Sequence, residues 1–120
     1  MENNYDFGQD LAKFLEKQTK NIAVISSGDL SHCLTKNSPG GYSPKGKKFD
    51  NKIIEIISSQ VPENILNLDE NLIKKAGECG LKTLTLLMGL ISETNLKPQK
   101  LSYQDDFGVG YLTFEFNLDY

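Results

Sequence analysis

One histidine, His32, is present in this chain of 120 residues. It closes the run Ser26-Ser27-Gly28-Asp29-Leu30-Ser31-His32. Histidine is the side chain whose ordinary titration lies near neutral pH, so it serves as a proton acceptor and donor. Asp29 precedes it by three positions, near enough in a tight turn to orient the ring. Gly28 allows the backbone to turn sharply. The same residues also make an ordinary surface turn, with Asp29 as a turn residue or helix cap, and on local sequence both readings stand.

A second candidate is Glu78-Cys79-Gly80. A carboxylate and a thiolate side by side are both metal-ligand types. The plainer alternative is a structural cysteine beside a solvated glutamate at a helix end. Tyr42, Lys45, Lys47 and Lys48 form a basic loop interleaved with glycine, which could attract an anionic substrate or simply be solvated. Phe107-Gly108-Val109-Gly110-Tyr111 has glycines two apart at the opening of a strand. No strand-to-helix context follows, so it is read as structural rather than phosphate-binding.

These candidates need elements to hold them. Phe7, Leu11, Phe14 and Leu15 recur at helical spacing and predict an amphipathic helix from about Tyr5 to Lys20. Asn21–Ser27 is apolar and β-branched, which predicts a strand buried on both faces. Gly28–Lys48, rich in glycine and proline, reads as a long loop at the end of that strand, where α/β sheets bind ligands. Phe49-Asp50 opens a helix lined by Ile53, Ile54, Ile56 and Ile57, running to about Gln60. A short helical turn is expected at Asn64–Asn67. Asp69 is a good N-cap for a helix over Glu70–Gly77. Leu81, Leu84, Leu87, Met88 and Ile91 predict a largely buried helix, with a strand over Thr83–Leu87 as the competing reading. Leu101–Tyr103 and Gly110–Phe116 read as strands, the second with Leu112, Phe114 and Phe116 on one buried face.

Bulk properties narrow the function classes. A net charge of -3 and a pI near 5.1 argue against nucleic acid as a partner. Every one of the 13 basic residues is lysine, so bidentate arginine clamps are not part of any site. Two cysteines are too few for a disulfide scaffold, which points to a reduced compartment. The apolar stretch Leu84–Ile91 is far short of the roughly 20 residues a membrane helix needs. With no signal-peptide pattern at the start, the expectation is one cytoplasmic domain over 1–120.

Taken together, several segments resemble one family. Ser27–His32 resembles an SGDLSH element, and Pro39, Gly41-Tyr42, Pro44, Gly46 and Phe49-Asp50 resemble the segment that follows it. Ala76–Leu81 resembles an A-x-ECGL element, and Ser102-Tyr103 with Phe107–Leu112 resembles a terminal SYxxxFGVGYL. In order and spacing these are similar to the C-terminal half of LigB-type class III extradiol ring-cleavage dioxygenases, nearest to the Memo-like domains of the AmmeMemoRadiSam set.

The resemblance implies an α/β fold, with helices packed on a mixed β-sheet as part of a three-layer domain. It implies opening of a catechol-type ring by dioxygen at non-haem Fe(II). In that scheme His32 is the acid–base group, Asp29 orients it, Glu78 or Cys79 supplies the late metal ligand, and Tyr42 lies at the substrate. The family's two histidine ligands belong to its N-terminal half, and His32 is the single histidine here. The expectation is therefore a half-site that binds no iron alone and either self-associates or meets a complementing half. The alternative is a non-enzymatic, Memo-like metal- or partner-binding module.

Overall fold

The computed structural model describes residues 1–117. In chain order its elements are α1 (Glu2–Glu16), α2 (Pro44–Ser58), a 3₁₀ helix (Pro62–Asn67), α3 (Glu70–Ala76), α4 (Leu81–Ser92), β1 (Lys97–Gln104) and β2 (Tyr111–Asn117). Helices pack against a sheet, as expected, and the sheet is an antiparallel pair of β1 and β2.

Phe49 and Ile53 of α2, Ile65 of the 3₁₀ helix and Met88 of α4 form the centre of the core, all essentially inaccessible to water. β2 adds its alternating face: Leu112, Phe114 and Phe116 are half-buried against this core, while Tyr111, Thr113 and Glu115 face out. The Thr83–Leu87 ambiguity resolves to helix. A strand there would expose half of its leucines, whereas in α4 the leucines that flank Met88 line the core.

Several expectations shift, and β1 starts at Lys97 rather than Leu101. α2 begins at Pro44 rather than Phe49, because Ser43 accepts the Lys45 N–H as N-cap and proline suits the first helical position. The long loop is correspondingly shorter. α1 ends at Glu16, short of Lys20.

Most consequentially, Asn21–Ser27 is not a strand. It joins no strand ladder among the described residues, and Ile25 is 86% exposed. Its β-branched residues favour a pleated, packed surface, yet a strand needs a neighbouring ladder, and β2 has only β1 as its partner among the described residues. The third and fourth helices fall where expected. Asp69 accepts the Leu72 N–H as the α3 cap, and Gly77 ends that helix in the left-handed conformation (φ 59°). No helix among the described residues is long and apolar enough to cross a membrane.

Candidate functional site

The turn Gly28–Leu34 lies between two backbone segments and is bonded to both. On one side Leu30 N–H donates to Gly110 O (2.9 Å), Gly110 N–H to Ser31 O (2.9 Å) and Leu34 N–H to Gly108 O (3.2 Å). On the other, His32 N–H donates to Gly77 O and Gly80 N–H to Asp29 O, both at 2.9 Å. The Ser31 hydroxyl donates to Ala76 O at 2.6 Å. Gly28 and Gly80 meet directly: a Cβ on Gly28 would stand 2.5 Å from the Gly80 Cα. The sequence-distant SGDLSH, ECG and FGVGY segments are thus laid side by side.

This arrangement brings Asp29, His32 and Cys79 together, with one potential ligand atom from each lying within 4.8 Å of the others. Asp29 N–H donates to the Cys79 sulfur at 3.2 Å. The Asp29 carboxylate stands 4.0 Å from His32 Nε2, an ion-pair distance rather than a hydrogen bond. At that distance Asp29 makes no direct hydrogen bond to the ring nitrogen. His32 Nε2 is covered from solvent and has no hydrogen-bond partner among the described residues. A buried, unpaired ring nitrogen is costly unless something meets it.

Glu78 and Cys79, left undecided by sequence, are given different tasks. The Glu78 carboxylate accepts the Leu81 N–H at 2.7 Å, serving the first turn of α4. Cys79, exposed, is the member of the pair that joins the cluster. Tyr42 is not brought there. It lines a separate open cleft of about 850 Å³ with Cys33, Ser43, Lys45, Lys74 and Lys75. Lys47 leaves the expected basic loop to pair with Asp105 at 3.0 Å and to lie over the Tyr103 ring, 4.4 Å from its centroid.

Asp50 stands behind the site and was not singled out as functional from sequence. It is fully buried, accepting the Ser31 N–H at 2.9 Å on one oxygen and the Tyr103 hydroxyl on the other. Burial raises its pKa above the usual 3.8; the bonds from Tyr103 and Ser31 and the charge of Lys47 oppose that rise. Tyr103 is pushed upward by burial and by the Asp50 acceptor. A signal existed: Asp50 stands three and seven positions before Ile53 and Ile57, on the apolar stripe of its helix, where a carboxylate needs a reason.

The donor set of the cluster is one imidazole nitrogen, one carboxylate and one thiolate. That combination, with the orphaned Nε2, fits a thiophilic divalent ion. It does not fit, within this chain, the two-histidine, one-carboxylate arrangement of non-haem iron, because His32 stands alone.

Residues 1–114 match the family described as the catalytic LigB subunit of aromatic ring-opening dioxygenase. Protein CA_C1420 of Clostridium acetobutylicum is 37% identical over 107 residues, which cover 89% of this chain and 23% of that protein. The chain therefore spans less than a quarter of the length of the curated relative it matches. On the breadth of the family match, this chain belongs to the LigB family, that of the catalytic subunits of aromatic ring-opening dioxygenases.

Proposed function

We propose that this chain supplies the acid–base and thiolate side of a LigB-type ring-cleavage site, which a complementing half completes with two histidines. The observation that carries this reading is the convergence of Asp29, His32 and Cys79 around a buried His32 Nε2 that has no hydrogen-bond partner among the described residues. Fe(II), if held by the completed site, would supply the redox chemistry for opening a catechol-type ring with dioxygen. His32 acts on the substrate side, where its Nε2 accepts a hydroxyl proton from the catechol and later returns it. The Asp29 carboxylate stands 4.0 Å from that nitrogen. Cys79 would offer a donor to the metal, while Glu78 stays with α4. The protein acts in the cytoplasm, in keeping with its thiols, and takes neither nucleic acid nor membrane as partner.

Reconstitution tests this reading. The chain is mixed with Protein CA_C1420 truncated to remove the quarter that it matches, and given Fe(II), a catechol and oxygen. Oxygen uptake with formation of a ring-opened product is expected, and His32→Ala abolishes it. Assembly of an iron-loaded complex that takes up no oxygen with any catechol would sink the enzymatic reading.

The second reading is a Memo-like, non-enzymatic metal-binding module. It is favoured by one observation, that the cluster recruits a thiol and not the neighbouring carboxylate. Stoichiometric Co(II) or Zn(II) at the cluster, without turnover in the reconstituted complex, is its expected outcome.

A further inference from the structure

We propose that Asp50 is a positioning residue of the Asp29/His32/Cys79 site, holding through the Ser31 amide the turn that carries His32; this rests on the proton- and metal-handling reading of that cluster. Four consecutive amides in the turn have four different partners. Asp29 N–H goes to the Cys79 sulfur, Leu30 N–H to Gly110 O, Ser31 N–H to the Asp50 carboxylate and His32 N–H to Gly77 O. The turn alternates between the two segments that flank it. Ser31 is the residue at which the ladder to Gly110 is exchanged for the ladder to Gly77, and its N–H is served by neither.

Ser31 is completely buried, so water does not replace a lost partner. Without an acceptor at Asp50, the orphaned amide favours rotation of the Leu30–Ser31 peptide. That peptide lies between Asp29 and His32, and its rotation would part the two side chains.

The alternative is that Asp50 merely fills the core. An apolar side chain does that without the cost of burying a carboxylate. Both Asp50 oxygens are instead directed, one to Ser31 and one to Tyr103. Gly110 makes room for them, since a Cβ there would run into the carboxylate. The nearby cation, Lys47, pairs with Asp105 rather than with Asp50. The carboxylate is thus given to hydrogen-bond donors, one of which is the main chain of the site.

Two readouts test this in the intact chain. One is Co(II) titration, followed by the thiolate-to-cobalt absorption. The other is the NMR spectrum of the imidazole C–H protons, which in this chain come from His32 alone. Asp50→Ala is expected to weaken cobalt binding by about tenfold or more, the scale of outer-shell partners, and to broaden or double the imidazole lines while the protein stays folded. Asp50→Asn keeps an oxygen for the Ser31 N–H and is expected to restore affinity and sharp lines. Tyr103→Phe leaves the Ser31 bond in place and is expected to keep both readouts while lowering the melting temperature.

Wild-type affinity and sharp lines in Asp50→Ala overturn the proposal, as does an equal loss of affinity in Tyr103→Phe. If Asp50→Ala does not fold, Asp50→Glu replaces it. The extra methylene displaces the acceptor, so perturbed imidazole lines are expected, and unchanged lines overturn the proposal. If wild type shows no cobalt–thiolate band, the metal reading fails by itself. The imidazole lines then decide on Asp50, with identical lines in wild type and Asp50→Ala counting against it.

Discussion

The main-chain N–H of Asp29 donates to the sulfur of Cys79 at 3.2 Å, although 50 positions separate the two residues. The bond joins the turn after the apolar run to the start of α4. It leaves the Asp29 side chain facing the His32 ring while drawing the thiol to the same spot. A small movement of either segment would therefore disperse all three groups.

The cluster should discriminate between metals. Three mixed donors including a thiolate favour Co(II) or Zn(II) over Fe(II), in line with the order of divalent affinities. Equilibrium dialysis of the isolated chain should show no stoichiometric iron at micromolar concentration. Co(II) should give a thiolate charge-transfer band that Cys79→Ser removes. Tight Fe(II) binding by the chain alone would contradict the half-site reading.

Glu78 and Cys79 should separate cleanly. Glu78→Ala removes the acceptor of the Leu81 N–H, and loss of such a helix-start contact costs about 0.5–2 kcal/mol. Cobalt binding should be unchanged in that variant. Loss of the cobalt band in Glu78→Ala, with the protein folded, would return the glutamate to the metal.

Asp50 sets a pH dependence whose sign is fixed. Its pKa is raised in the folded state, chiefly by burial, above the ordinary value of 3.8. The folded protein then keeps this proton at a pH where the unfolded chain has lost it. The group's contribution to stability is full below the ordinary value, declines as pH rises towards the folded pKa, and is constant beyond. Asp50→Asn does not titrate, so its stability relative to wild type should climb over the interval above 3.8. Urea unfolding of both proteins through that interval measures the difference, and parallel pH profiles would disprove it.

Gly110 should tolerate no side chain. A Cβ there collides with the Asp50 carboxylate and presses on the Leu30 Cβ. Gly110→Ala is expected to cost about 1–3 kcal/mol, the usual range for overpacking. The paired variant Gly110→Ala with Asp50→Ala should recover part of this in a double-mutant cycle. Strict additivity would show that the two sites do not press on each other.

The exposed run Ile22–Ile25 should drive association. Ile25 is 86% exposed, and Ile22 and Val24 are exposed beside it. A β-branched segment that joins no ladder among the described residues seeks another strand or apolar face. Sedimentation should show concentration-dependent association that Ile25→Lys weakens. A monomer at every concentration, with a cooperative unfolding transition, would argue that the run needs no cover.

The periodic parts of this protein were legible in its sequence. The α4 leucines, the Asp69 cap and the in–out alternation of Leu112, Phe114 and Phe116 are local patterns, and local patterns follow from helix and strand geometry. The resemblance of the SGDLSH, ECG and FGVGY segments also pointed to residues that would meet. Tertiary structure decided the rest. Whether Asn21–Ser27 became a strand depended on a neighbour that its own residues do not specify, so propensity alone misled there. The different placements of Glu78, at the Leu81 amide, and Cys79, at the Asp29 amide, depend on a difference of one position on a turn. Asp50 shows the same division. Its place on an apolar stripe could be read from spacing. Its partners, Ser31 19 positions away and Tyr103 53 positions away, exist only once the chain has folded back on itself.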